Sequence, residues 1–197
     1  MRIEELAIGA DPTAWRSAGF GVDDGGLRVG SVALRFTSGE GIAGWRLDQA
    51  PPGELDGLPV APAAEADPRD QPHPNGVTHI DHLVVFTPEL ERTTNALAEA
   101  GVERRRVREL ETDDGTLRQG FFRLGEVILE VVEHGNVEPG PARFWGITFG
   151  VADLDACAGL LGERLGSIRD AVQPGRRIAT VRRQANLGLP VALISAE

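Results

Sequence analysis

Residues 79–86, HIDHLVVF, read as an apolar strand, and the pattern that follows changes period. TPELERTTNALAEAG (87–101) places its apolar residues at helical spacing, with a Thr87-Pro88 start and a Gly101 stop. RFWGITFGVADLDACAGLLGERLG (143–166) repeats the order: apolar strand, cap at Asp153, amphipathic helix, terminating glycine. Setting Glu89 against Asp153 gives an offset of 64, and setting Leu124-Gly125 against Leu187-Gly188 gives 63. Strand patterns follow each helix: VERRRVREL, TLRQGFFRL and EVILEVVEH in the first segment, and a less regular stretch ending RRIATVRRQANLGLPVALIS in the second. Each segment therefore predicts a β-α-β-β-β unit. One open sheet with one helix leaves a face uncovered, so two such units should pair. The expected class is α+β, paired βαβββ modules curving around a cup with the helices outside.

The pattern divides the chain into four parts. Residues 77–140 and 141–197 are the two complete units. Residues 1–48 predict a worn third copy: RIEELAIGADPTAWRSAGF gives strand, capped helix and glycine stop, and LRVGSVALRF (27–36) lines up with FRLGEVILEV (122–131). GIAGWRLD closes it as a strand, leaving the copy about one strand short. It could extend the sheet, cap an edge or pair with another subunit, and an uncapped edge would favour a homodimer. Residues 49–76 are rich in Pro, Ala, Gly and acids without a sustained period, which predicts a linker crossing the surface, with His73 a solvated loop residue.

Composition narrows the function. A net charge of −10 over 197 residues argues against nucleic acid as a partner. The basic run RRRVR (104–108) is flanked by Glu103, Glu109 and Glu111 and reads as a solvated strand face. All twenty basic residues are arginine, which excludes Schiff-base lysine chemistry and the lysine of a phosphate-binding P-loop. There is no tyrosine, no GxSxG, no CxxC and no HExxH. The single cysteine, Cys157, sits among small apolar residues and reads as a core residue. With no signal-like or membrane-length apolar run, a cytoplasmic protein without a membrane partner is expected.

The strand-turn-helix IDHLVVFTPELERT followed by GEVILEVVE resembles the vicinal oxygen chelate superfamily, which includes glyoxalase I, extradiol dioxygenases, methylmalonyl-CoA epimerase and bleomycin-resistance proteins. The resemblance covers 77–197 well and 1–48 weakly. It implies a divalent metal (Zn, Ni, Fe, Mn or Mg) or none, and it places the first-strand histidine at His82 and the last-strand glutamate at Glu130. The offsets put Gly146 and Leu193 where the second unit's ligands belong, and neither side chain can bind a metal. The worn copy sets Arg35 opposite Glu130, and Glu4 or Glu5 opposite His82. On a regular strand His79 and His82 point to opposite faces, so only one of them can serve the cup.

Glu130 stands out without the resemblance. A carboxylate inside VILEVV must meet a cavity, a cation or His82, because unpaired buried charge is costly. It is the candidate catalytic residue, with His82 and Glu130 as candidate metal ligands, and Gln119, Trp145 and Arg176 as candidate substrate contacts. Three functions fit: a glyoxalase- or dioxygenase-like enzyme with a Lewis-acid metal, a metal-free protein that sequesters a small molecule as bleomycin-resistance proteins do, and a metal-free enzyme using Glu130 as general base oriented by His82. The expected partner is a small-molecule substrate or ligand.

Overall fold

The computed structural model describes residues 1–62, 68–113 and 115–196. In chain order the N-terminal elements are β1 (Ile3–Gly9), α1 (Pro12–Ser17), β2 (Leu27–Val29), β3 (Val32–Thr37), β4 (Gly41–Leu47), β5 (Gly53–Leu55) and β6 (Leu58–Val60). There follow β7 (Val77–Thr87), α2 (Leu90–Glu99), β8 (Arg104–Thr112), β9 (Gly115–Leu124), β10 (Val127–Glu133), β11 (Arg143–Val151), α3 (Leu154–Leu161), β12 (Arg169–Asp170), β13 (Arg177–Thr180) and β14 (Val191–Ser195).

The two apolar strands that open the repeated segments, β7 and β11, lie side by side and antiparallel at the centre of an eight-stranded sheet. Beside each runs the last strand of its own unit in parallel, β10 against β7 and β14 against β11, and the order across the sheet is β12-β13-β14-β11-β7-β10-β9-β8. The fold is α+β, with paired βαβββ units. Leu83, Val85, Leu129 and Val131 are buried on the face that carries the helices. Burying each such side chain contributes roughly 1.5–3 kcal/mol, which fixes the register, because a one-residue slip would turn this set to the other face.

Local signals set the helix ends. Asp153 caps α3 by accepting from the N–H groups of Asp155 (3.0 Å) and Ala156 (2.9 Å), as expected. Helix α2 begins later than Thr87-Pro88 suggests. The Thr87 hydroxyl accepts from Glu89 N–H at 3.1 Å, and the Glu133 carboxylate reaches over from β10 to accept from Leu90 N–H. A tertiary carboxylate thus replaces the local cap.

The N-terminal sheet has the order β2-β3-β1-β4-β6-β5. Strand for strand and direction for direction it matches β9-β10-β7-β11-β14-β13: β1·β3 and β4·β6 are parallel, and β1·β4, β2·β3 and β5·β6 antiparallel. It is a reduced copy of the whole pair, not one worn unit. Residues 53–60, within the stretch expected to be a linker, form its last hairpin. Gly44 and Gly146 occupy the same place: a Cβ would lie 2.9 Å from the Pro59 carbonyl oxygen in one sheet and 2.6 Å from that of Pro190 in the other. Both prolines belong to the tetrapeptide GLPV, at 57–60 and 188–191.

The two sheets pack through their apolar faces. Trp15 and Phe20 meet Phe149 edge-on, with centroids 6.0 and 5.3 Å apart, and Trp45 meets Phe144 at 5.2 Å. Trp15 also donates from Nε1 to the Leu187 carbonyl at 3.1 Å. The N-terminal sheet thus packs on the helix side of β11. Cys157 is on the buried face of α3, and burial, with the Asp153 charge adding to it, pushes its thiol up to about 11. Among the described residues no helix is long and apolar enough to cross a membrane.

His73 departs from the solvated loop residue expected. Its Nδ1 accepts from Gly21 N–H at 2.9 Å and its Nε2 lies 2.9 Å from the Arg28 carbonyl, so the neutral ring carries its proton on Nε2. Burial, partly offset by Arg28 and Asp70, lowers its pKa below 6.5. The unfolded chain therefore binds more protons just below 6.5, and the stability that neutral His73 provides is lost as pH falls through that window. His73→Ala should cost about 1–2 kcal/mol at pH 8 and flatten the pH dependence between 7 and 5, as read by denaturant melts. Equal slopes in the two proteins would contradict this role.

Candidate active site

On the helix-free face, register places side chains in rows across the strands. One row reads Arg123, Ile128, His82, Thr148, Ala192; the next reads Arg106, Phe121, Glu130, Val84, Gly146; the third reads Arg108, Gln119, Val132, Phe86, Arg143. Val84, Val132 and Thr148 of this face are buried although both helices lie on the other side, as expected of a sheet curled into a hollow. The counterpart of Glu130 on this face is Ala192. Leu193, assigned there by the sequence offset, pairs with Phe149 and points into the core.

The register of β7 against β11 slips between His82 and Ile80, leaving Asp81 as an extra residue. This bulge overturns the expectation that His79 and His82 point opposite ways. Both lie on the helix-free face, and Asp81 sits between them: its Oδ2 is 2.8 Å from His82 Nδ1, and its Oδ1 is 4.0 Å from His79 Nε2. The His79 ring fills the space above Gly150, where any Cβ would collide with it.

Arg176 closes the cluster from β13's leading turn. Its Nη1 is 2.7 Å from Asp81 Oδ1, with side chains only 9% and 8% exposed, and its Nε donates to the Ser195 carbonyl at 2.9 Å. Burial alone would raise the Asp81 carboxyl, but the hydrogen bonds from His82 and Arg176 outweigh it and hold the pKa below 3.8. Asp81 therefore stays ionised and accepts a hydrogen bond from His82 Nδ1–H, which fixes the orientation of the ring. Asp81 was not singled out from sequence; a bulge is a property of pairing, and nothing local announces it.

Glu130 lies on β10, diagonal to His82 on the adjacent strand. Burial raises its carboxyl above the usual 4.5, partly offset by the His82 charge, a hydrogen bond from Gln119 and the more distant Arg108. Gln119 Nε2 donates to Glu130 Oε1, while Gln119 Oε1 is buried without a partner. An amide can turn over. Ionised Glu130 accepts from the NH₂ end, and protonated Glu130 can donate to the oxygen end, so Gln119 can follow the carboxyl through a protonation cycle. Trp145 is the extra residue of a second slip, between Phe144 and Gly146, and its ring stacks on Phe86 at 5.1 Å and 28° with 45% of the residue exposed.

The structure therefore gathers His82, Glu130 and Gln119 on the helix-free face, with Trp145 stacked on Phe86 beside them. Arg176 is a layer behind, bound to Asp81. A cavity of about 540 Å³ opens alongside, lined by His79, Asp81, Arg123, Glu126, Ile128 and Arg176 among others. The donors do not fit a resident divalent metal. Among the described residues no three His, Cys, Asp or Glu side chains are arranged so that they could hold one metal ion, and zinc and iron sites need at least three protein donors. The positions facing His82 and Glu130 from the second unit are Gly146, Thr148 and Ala192, none of which carries a metal-binding histidine or carboxylate.

In the N-terminal sheet the same register puts Glu5 in the place of His82, Arg35 in that of Glu130 and Arg46 in that of Thr148. Arg35 Nε lies 2.5 Å from Glu5 Oε2, and Arg46 lies 3.0 Å from Glu4 and 3.8 Å from Glu5. An ion-pair cluster thus occupies the ground that the histidine and lone carboxyl hold in the large sheet.

No protein-family model and no curated protein matches the chain. Solved structures do. Methylmalonyl-CoA epimerase from Mycobacterium tuberculosis aligns over 62% of this chain and 90% of its own, at 19% identity and TM-score 0.49. A variant of the Streptomyces coelicolor methylmalonyl-CoA epimerase in complex with 2-nitronate-propionyl-CoA aligns over 61% and 95%, at 22% identity and TM-score 0.48. A hypothetical protein from Bacillus halodurans aligns over 60% and 94%, at 13% identity and TM-score 0.48.

Proposed function

We propose that this chain is a protein of the vicinal oxygen chelate type whose hollow moves a proton on a small molecule, with Glu130 as the acid-base group. The carrying observation is the half-buried Glu130 carboxyl on the helix-free face, raised above its ordinary value by partial burial and touched by Gln119. A base tuned toward neutrality removes protons more effectively at physiological pH than a solvated carboxylate does. His82, fixed by Asp81, presents Nε2 beside it as a second polar contact for the substrate. No step is assigned to a metal.

The test is hydrogen–deuterium exchange in D₂O, followed by proton NMR, on a panel of small carboxylic acids with a C–H next to a carbonyl. Wild-type protein should speed exchange in at least one, and Glu130→Gln should remove that gain; unchanged exchange in the variant would overturn the assignment. Removing the Gln119 hydrogen bond takes away an influence that lowers the carboxyl's pKa. The acid limb of the pH–rate profile should therefore move to higher pH in Gln119→Leu, and a limb that stays put or moves down would contradict the pairing.

The sequestration reading draws on a different observation, the exposed Phe86–Trp145 stack, a ready surface for a flat ligand. Saturable binding by a wild-type protein that exchanges no panel member would favour it.

A further inference from the structure

The rim of the hollow is charged against the sign of the molecule. On a chain of net charge −10, the helix-free face carries Arg106 and Arg108 from β8, Arg123 from β9 and Arg143 from β11. The acids of the same region are largely accounted for. Glu130 is tied to Gln119, and Asp81 is neutralised by Arg176 and His82. Glu109 and Glu133, whose strands also carry these rows, turn to the other face and pair with Arg118.

The aromatic residues stand on both sides of Glu130. On one side the Arg106 guanidinium lies 4.7 Å above the Phe121 ring, a stacked and pre-oriented cation. On the other is the Phe86–Trp145 stack, whose indole is one of three exposed large hydrophobic side chains among the described residues. The strands bearing Arg106 and Phe86 are three apart, about 14 Å along the sheet at ~4.8 Å per strand. Glu130 lies between them on β10.

We propose that the hollow takes a flat, negatively charged small molecule of the aromatic carboxylate class, its ring against Phe86 and Trp145 and its carboxylate toward Arg106 and Arg108. This rests on the reading of the helix-free face as a small-molecule site and adds the ligand's charge and shape. A guanidinium already stacked on a ring loses little freedom on accepting a carboxylate, and a fork of two N–H donors matches two carboxylate oxygens. The local positive rim also raises the encounter rate of an anion that the overall charge would repel.

The protein contains its own reporter. Trp15 and Trp45 are fully buried, so a bound quencher in the hollow acts on Trp145. The probes are 4-nitrobenzoate and the neutral 4-nitrobenzamide, titrated against tryptophan fluorescence and checked by calorimetry. Expected is saturable quenching with 4-nitrobenzoate bound at least tenfold more tightly, the preference falling to within about twofold in the Arg106→Gln, Arg108→Gln double variant. That variant alters partly exposed side chains, and an unchanged melting temperature confirms its fold. Equal binding of both probes overturns the ligand class while leaving the hollow as a binding site. No saturable binding by either overturns the ligand class and removes the binding half of the functional reading, whose proton-transfer half is judged separately by exchange in Glu130→Gln.

Discussion

Glu130→Gln is expected to lose about 10²–10⁴-fold in exchange rate, the usual contribution of a positioned acid-base group. Glutamine keeps the shape and can still hydrogen-bond Gln119, so the loss isolates the proton-carrying function. The stability readout should move the other way. Burial raises the Glu130 carboxyl above 4.5, so between the unfolded and folded values the folded state holds the extra proton. Stability then falls as pH rises through that window. The glutamine variant lacks this decline, so its melting temperature should match or exceed wild type at pH 8. A variant that loses both rate and several degrees of melting temperature would mark Glu130 as a structural group instead.

The second large effect concerns Asp81 and Arg176. Arg176→Met should destabilise the fold by about 3 kcal/mol, the lower part of the range for breaking a buried ion pair, because His82 remains as a partner for Asp81. In a chain of this size that is roughly a 6–12 °C drop in melting temperature. The pair Asp81→Leu, Arg176→Met should recover most of the loss, since a buried charge without its partner costs more than two apolar groups. The Asp81 carboxyl lies below 3.8 in the folded protein, so its stabilising effect is complete above that value and disappears as acid titrates it. A loss below 1 kcal/mol in Arg176→Met, with no recovery in the pair, would mean that solvent reaches Asp81 despite its burial.

The large sheet was legible because its signals are local. The apolar runs at 80–86 and 144–151, the Asp153 cap and the glycine stops each act within a few residues, and their repetition implied the pairing. The direction of Glu130 was legible too, since a carboxylate among valines leaves few alternatives. Three features depend on partners distant in sequence. The bulge at Asp81 exists only because β11 pairs with β7 out of step, so the shared carboxylate of His79 and His82 could not be read from HIDH. Arg176 follows a turn and looks solvated until β14 and Asp81 enclose it. The N-terminal sheet read as one worn unit because its second half has lost its helix and sits in proline-rich sequence. GLPV at 57–60 and 188–191 was the available clue, and it marks the strand that packs against Gly44 and Gly146.

The state of one carboxyl decides whether this face can move a proton. Carbon-13 NMR of glutamate side-chain carboxyls, with the Glu130 resonance assigned by its disappearance in Glu130→Gln, measures it directly. Its midpoint should stand above 4.5 and rise further in Gln119→Leu, which removes a hydrogen bond to the carboxylate. A midpoint at or below that of the exposed glutamates would place Glu130 in water or against a cation, and the proposed acid-base site would fall with it.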